Sequence, residues 1–281
     1  MSSPTPSSTS PSAPPQIAIL GTGKIGEALL GGLLRSGRTP ADLLATTRRP
    51  ERAAALRERY GVETTDTAAA AKSAGILILA VKPQDMAALL DELAPGLPPD
   101  RLVISAAAGV TTAFIEDRLP AGTPVVRVMP NTPALVDEAM SVISGGAHAT
   151  AEHLAWAEDI FGSVGRTMRL PEHQQDAATA LSGSGPAYFY FLVEAMIDAG
   201  ILLGLPRDKA HALIVQSAVG ASVMLRDSGE HPVRLREAVT SPGGTTISAI
   251  RELENHGVRA ALIAALEAAH DRSRALGGGQ R

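Results

Sequence analysis

The chain contains no cysteine, which removes disulfides, thiolate nucleophiles and thiolate-bound metals from consideration together. It also has little of what a nucleic-acid surface needs. The net charge is −4, the pI is near 6.0, aromatics make up 3% of residues, and no basic cluster with interleaved aromatics occurs. Nucleic acid is therefore not an expected partner. No apolar run reaches the roughly 18 residues that a membrane-spanning helix requires, so no membrane association is expected either. The histidines form no H-x-x-x-H or H-E-x-x-H pair: His148 and His153 are too widely spaced, and His173, His211, His231, His256 and His270 are scattered. No metal site is expected. Apart from Met1 and Ala13, Met1–Pro15 consists of Ser, Thr and Pro. It has neither the basic start and apolar centre of a secretory signal nor the arginines of a transit peptide, and a cytoplasmic location is expected.

What is present suggests two domains. At 281 residues the chain exceeds the usual size of one domain, and 45% hydrophobic residues with a mean hydropathy of +0.10 suffice for two cores. Residues 1–15 read as a disordered leader and 277–281 as a flexible tail. Across 16–170, apolar runs alternate with helix-like stretches: Gln16–Leu20, Leu43–Thr46, Gly75–Val81, Leu102–Ser105 and Val125–Met129. Strands that are apolar on both faces and separated by helices imply a mainly parallel, doubly wound sheet. Ligands of such sheets bind at the carboxyl ends of the strands, where Gly21, Thr47, Val81, Ala106 and Pro130 fall. Across 171–276 strand signals vanish, and helices are expected over 188–200, 207–226, 234–239, 246–255 and 259–276. These helices are rich in Ala and Gly on several faces, which suits close packing in a dimer or in a tight monomeric bundle.

Two segments carry chemistry. The first strand runs into Gly21-Thr22-Gly23-Lys24-Ile25-Gly26, which opens a helix. Gly21 suits the turn, Gly23 a close approach of backbone to pyrophosphate, and Gly26 close helix packing, so a Rossmann-like dinucleotide site is expected. At the end of the second strand, Thr46-Thr47-Arg48-Arg49 offers guanidinium groups where an NAD site carries a carboxylate. Arg48 and Arg49 can bind a ribose 2′-phosphate, so NADPH is expected, with NADH possible. The second segment is Thr240-Ser241-Pro242-Gly243-Gly244-Thr245-Thr246, followed by the helical spacing Ile247, Ile250, Leu253. Its glycines permit a sharp turn and its hydroxyls stand where a helix has unpaired N–H groups, an arrangement that binds a small acid.

Several motifs, in order, resemble the pyrroline-5-carboxylate reductase family over nearly all of 16–276: Ala80-Val81-Lys82-Pro83-Gln84, Ala106-Ala107-Ala108-Gly109-Val110, Arg127 to Pro133, Ala180 to Tyr188 and Thr240 to Leu253. The resemblance implies an N-terminal α/β dinucleotide-binding domain, an all-α C-terminal dimerisation domain, and NAD(P)H-dependent reduction of pyrroline-5-carboxylate to proline. It also implies a homodimer with interleaved helices, assembled in some members into larger rings. By the same resemblance, Ala80, Val81, Lys82 and Pro83 line the cofactor, with Ala106, Ala107, Met129 and Asn131 near the nicotinamide. Thr67 stands on the adenosine side, where the family commonly has Asn. Ser241, Gly243, Gly244, Thr245 and Thr246 hold the substrate, with Thr246 bonded to the ring nitrogen, and Glu172 falls at an acidic position near the site. Two other readings stand beside this one. A hydroxyacid dehydrogenase normally needs a lysine on a helix of the second domain, where only Lys209 is available. A non-catalytic NADP sensor would have no use for Thr246 and its glycine corner.

Overall fold

The computed structural model describes residues 15–278. Residues 1–14 and 279–281, which hold most of the expected leader and tail, lie outside the described residues. The described chain divides into two compact units, one reaching Thr179 and including the stretch from Ser273 onward, the other spanning Ala180–Arg272.

The N-terminal unit is an eight-stranded sheet in the order β3-β2-β1-β4-β5-β6-β7-β8. Its strands are β1 (Ile17–Leu20), β2 (Leu43–Thr46), β3 (Glu63–Thr64), β4 (Ile76–Leu79), β5 (Leu102–Ser105), β6 (Val125–Met129), β7 (Ala139–Gly145) and β8 (Gly165–Arg169). All neighbours pair in parallel except β6 and β7. Side chains alternate across a strand, so each all-apolar strand serves two cores at once. Ile17, Ile19, Ile76, Ile78 and Ile104 face one core, where Leu29, Leu30 and Leu33 of α1 (Lys24–Arg35), Leu56 of α2 (Pro50–Tyr60), and Ile160 and Phe161 of α6 (Ala151–Gly162) meet them. Ala18, Leu20, Leu77, Leu79 and Val103 face the other, covered by α3 (Thr67–Ser73), α4 (Met86–Leu93) and α5 (Thr112–Glu116).

The switch in strand order falls at β1, whose neighbours are β2 on one side and β4 on the other. That places the glycine loop at the crevice where such sheets take their ligands. The antiparallel β7 and the edge strand β8 were not expected. Both mix polar with apolar residues, and β8 leaves Arg166, Met168 and Arg169 exposed, so neither shows the continuous apolar run that marks the central strands.

The expected boundary at 170/171 precedes Glu172 and Gln175, whose side chains are anchored in the N-terminal unit. Gln175 Nε2 donates to Val142 O at 3.1 Å and to Ser144 Oγ at 2.8 Å. Gln175 opens α7 (Gln175–Ala178), which is followed by a π-helical turn over Thr179–Gly183.

The second unit is helical throughout: α8 (Gly185–Leu202), α9 (Arg207–Asp227), α10 (Pro232–Ala238), α11 (Thr245–Asn255) and α12 (Val258–Gly278), whose last turns belong to the first unit. These match the helices expected from sequence within a few residues at each end. α12 continues through Gly277 and Gly278, into the stretch expected as tail. α8 and α9 approach closely: a Cβ on Gly200 would lie 2.9 Å from Ala210 Cβ.

Large apolar side chains remain uncovered in this unit. Phe191 is 71% exposed and Leu202 88% exposed, and Phe189, Leu213 and Met224 are exposed as well. The expectation of no apolar run of spanning length is corrected here, because Glu172–Leu202 is long and apolar enough by length and composition to cross a membrane. Its apolar character comes from the exposed face of α8, a helix that also carries Glu194 and Asp198. An uncovered face of this size marks a surface for another macromolecule.

Candidate active site

A cleft of about 980 Å³ opens at the carboxyl ends of β1, β2 and β4. Its floor is the glycine loop. Gly21 has φ 98°, and a Cβ there would lie 2.8 Å from Val81 Cγ1 and 2.9 Å from Ala80 O. A Cβ on Gly26 would overlap the Gly21 carbonyl oxygen, so α1 can sit this close to the loop only with glycine there. Gly23 differs from both: a Cβ would meet nothing within 4 Å. The protein therefore leaves free space beside Gly23, at the N-terminus of α1, where unpaired N–H groups favour an anion. Thr22 Oγ1 donates to Thr46 O at 3.3 Å and ties the loop to the end of β2. These features fit the pyrophosphate of a dinucleotide.

Of the cofactor residues expected from sequence, Gly21, Thr22, Gly23, Lys24, Thr47, Arg48, Arg49, Thr67, Ala80, Val81 and Lys82 line this cleft. Arg48 is paired with Asp85 at 3.2 Å, while Arg49 has no ion pair among the described residues. The sequence reading missed Arg52, which lines the same cleft, donates to Thr22 O at 3.4 Å and pairs with Glu27. Its signal was its position three residues after Arg49, the N-cap of α2, within the first turn of that helix.

Other expected residues lie elsewhere. Ile25 packs against the core, Gly26 is buried, and Pro83 opens a 3₁₀ turn over Pro83–Asp85. Ala106 and Ala107 follow β5, and Met129 ends β6. Asn131 Oδ1 accepts the Met140 N–H at 3.0 Å, which holds the passage from β6 to β7. The last four belong to strands beyond β4 in the sheet order, outside the cleft just described.

Burial pushes the Glu27 carboxyl up, but hydrogen bonds from Arg52 and Tyr60, together with the charges of Arg52 and Arg59, hold it below its ordinary value. A depressed carboxylate contributes stability that is fully present above the unfolded value of 4.5 and is lost as pH falls through the folded value. Glu27→Gln should therefore lower the thermal midpoint at neutral pH. The gap to the parent protein should close as pH drops below 4.5, which a pair of melting series across pH will show.

The Ser241–Thr246 corner, expected to hold the substrate, belongs to the helical unit. Gly243 has φ 70°, and Gly244, the N-cap of α11, makes no side-chain cap. Its amide donates to Ser241 O at 3.0 Å, and a Cβ on Gly244 would collide with Ser241 Oγ. The first helical backbone bond is Ser248 N–H to Gly244 O, so the amides of Thr245, Thr246 and Ile247 have no helical acceptor. Thr246 is half-buried and its hydroxyl makes no hydrogen bond among the described residues.

Glu172, expected beside the substrate, is engaged inside the N-terminal unit. Its carboxylate accepts the Thr112 N–H at 2.8 Å and the Thr112 hydroxyl at 2.6 Å, and pairs with Arg127 at 3.3 Å. Neither oxygen is left without a partner.

The sequence model described as NADP oxidoreductase, coenzyme F420-dependent, matches residues 16–109. Pyrroline-5-carboxylate reductase dimerisation matches residues 172–276. Fold, cleft and these matches define the class: an oxidoreductase with an N-terminal dinucleotide-binding sheet and a helical dimerisation domain. A pyrroline-5-carboxylate reductase of Corynebacterium melassecola is 44% identical over 265 residues, covering 93% of this chain and 98% of that protein. One from Escherichia coli is 39% identical over 263 residues, with the same coverage of each. Among solved structures, a pyrroline-5-carboxylate reductase from Coxiella burnetii superposes with a TM-score of 0.89 at 36% identity, covering 93% of this chain and 98% of that one. The Plasmodium falciparum pyrroline carboxylate reductase, solved with NADP bound, gives 0.84 at 29% identity, covering 94% and 98%. The chain belongs to the pyrroline-5-carboxylate reductase family.

Proposed function

We propose that this cytoplasmic protein reduces 1-pyrroline-5-carboxylate to L-proline with NADPH, as a homodimer in which the nucleotide-binding unit of one protomer works with the helices of its partner. The observation that carries the reading is the Gly243–Thr246 corner. It presents unaccepted amides and an unpartnered Thr246 hydroxyl inside the family's dimerisation segment, on a chain whose other unit holds a dinucleotide cleft. The uncovered apolar faces of α8 and α9 support a partner of the same kind.

Bound NADPH supplies a hydride from nicotinamide C4 to the imine carbon. The protein's residues have a modest task beyond that, because a protonated imine is already electrophilic. The amides of Gly243 and Thr245 and the Ser241 hydroxyl hold the substrate carboxylate at the N-terminus of α11. Thr246 bonds the ring nitrogen and keeps its proton in place while the carbon accepts the hydride. No histidine or lysine acid is required. Arg48, Arg49 and Arg52 surround the place of the ribose 2′-phosphate, and the end of β2 carries no carboxylate to repel it.

The test is the loss of NADPH absorbance with purified protein and pyrroline-5-carboxylate, repeated with NADH. Turnover that is faster with NADPH supports the substrate and the arginine cluster together. Binding of NADPH without consumption overturns the catalytic reading.

A further inference from the structure

We infer that Glu172 is a positioning residue for hydride transfer, its carboxylate tying the β5–α5 loop to β6 so that the two walls around the nicotinamide keep one spacing. This rests on the reading given under Proposed function.

The sheet order says where the nicotinamide goes. The arginines that suit the 2′-phosphate stand at the end of β2, and the glycine loop that suits the pyrophosphate at the end of β1. An extended dinucleotide crossing the switch point therefore continues toward the ends of β4, β5 and β6. The walls there are the loop from Ala106 to Thr111 and the end of β6 at Met129.

Glu172 is bonded to both. Through Thr112 it holds the start of α5, immediately after the loop, where Thr111 Oγ1 also caps by accepting the Phe114 N–H at 3.2 Å. Through Arg127 it holds β6 two residues before Met129. The Arg127 side chain is only 4% exposed, against 28% for Glu172. A guanidinium buried to that degree is tolerated only when paired. Its Nη2 has no partner, which leaves the Glu172 carboxylate as its sole counter-charge among the described residues.

The loop is backed on another side by the end of α12. Gly109 has φ 74°, and a Cβ there would lie 3.4 Å from Leu276 Cβ. Ser273 Oγ donates to Asp176 Oδ1 at 2.7 Å, fixing that helix end to the segment that carries Glu172. A direct role for Glu172 on the substrate is the poorer fit, because its oxygens are taken and its charge repels the substrate carboxylate.

The test compares Glu172→Gln, Thr112→Val and the double variant with the parent enzyme in steady-state kinetics, using NADPH and its 4-deuterated form. Glu172→Gln should lower kcat about tenfold and raise the deuterium isotope effect, with both KM values within about twofold, because a misplaced acceptor slows only the transfer. Thr112→Val should cause a smaller fall that disappears in the Glu172→Gln background. Unchanged kcat with a lowered melting temperature makes the carboxylate a structural brace and overturns the proposal. A raised KM for pyrroline-5-carboxylate at unchanged kcat makes Glu172 a substrate ligand and overturns it too. If Glu172→Gln does not fold, Thr112→Val decides alone, since it keeps the buried ion pair. Lack of turnover in the parent enzyme sinks the functional reading itself, whereas parent-like kcat in the variants sinks only this role of Glu172.

Discussion

Replacing Thr246 by Ala should lower kcat by about 10- to 100-fold while leaving NADPH affinity within about twofold. The hydroxyl stands at the second position of α11, half-buried and without a partner among the described residues, so its removal opens no unsatisfied group in the fold. The lost interaction is felt where charge moves on the ring nitrogen as the carbon accepts hydride. A well-placed hydrogen bond to a charged group contributes about 1.5–3 kcal/mol, which gives the size of the fall. Thr246→Ser should recover most of the rate because it keeps the oxygen. Turnover equal to the parent's in Thr246→Ala would remove this side chain from the mechanism and leave the corner as an ordinary helix start.

The second large effect is expected at the glycine loop, where Gly26 and Gly23 should both matter for NADPH but differ in their effect on stability. In Gly26→Ala the new methyl meets the backbone oxygen of Gly21, which cannot rotate aside as a side chain can. Overpacking of this kind costs about 1–3 kcal/mol, and the upper end applies when backbone must move. The melting temperature should drop by several degrees and NADPH binding should weaken, because α1 and the loop shift together. Gly23→Ala adds its methyl to open space and should leave the melting temperature unchanged. Yet it should weaken NADPH by about tenfold or more, since that space is reserved for the pyrophosphate. Calorimetry and cofactor titration on the two variants separate packing from ligand approach. A stability loss in Gly23→Ala would contradict the assignment.

These effects follow from features with different visibility in the sequence. The strands β1, β2, β4, β5 and β6 were readable because each is mostly apolar on both faces, a pattern that a strand covered on both sides explains. The helices of the second unit were readable from their breaks at Gly204-Leu205-Pro206 and Ser228 to Pro232. β3 is too short to leave a pattern, and β7 and β8 carry serines, arginines and a threonine among their apolar residues. Their strand character comes from pairing with distant segments, and local preference does not report it.

The candidate site divides along the same line. The glycine loop and the Ser241–Thr246 corner are local devices, built from residues adjacent in the chain whose backbone freedom and hydroxyls act where they stand. The chain alone therefore determined a dinucleotide-binding sheet, a helical second unit, a phosphate-compatible end to β2 and a helix start with unaccepted amides. Only the tertiary structure showed that Arg52 joins Arg48 and Arg49, that Asn131 braces the turn into β7, and that Glu172 bonds Thr112 and Arg127. The physical reason is sequence separation. Thr112 and Glu172 stand 60 residues apart. What a half-buried carboxylate does depends on which donors the fold brings to it, and no spacing along the chain encodes that.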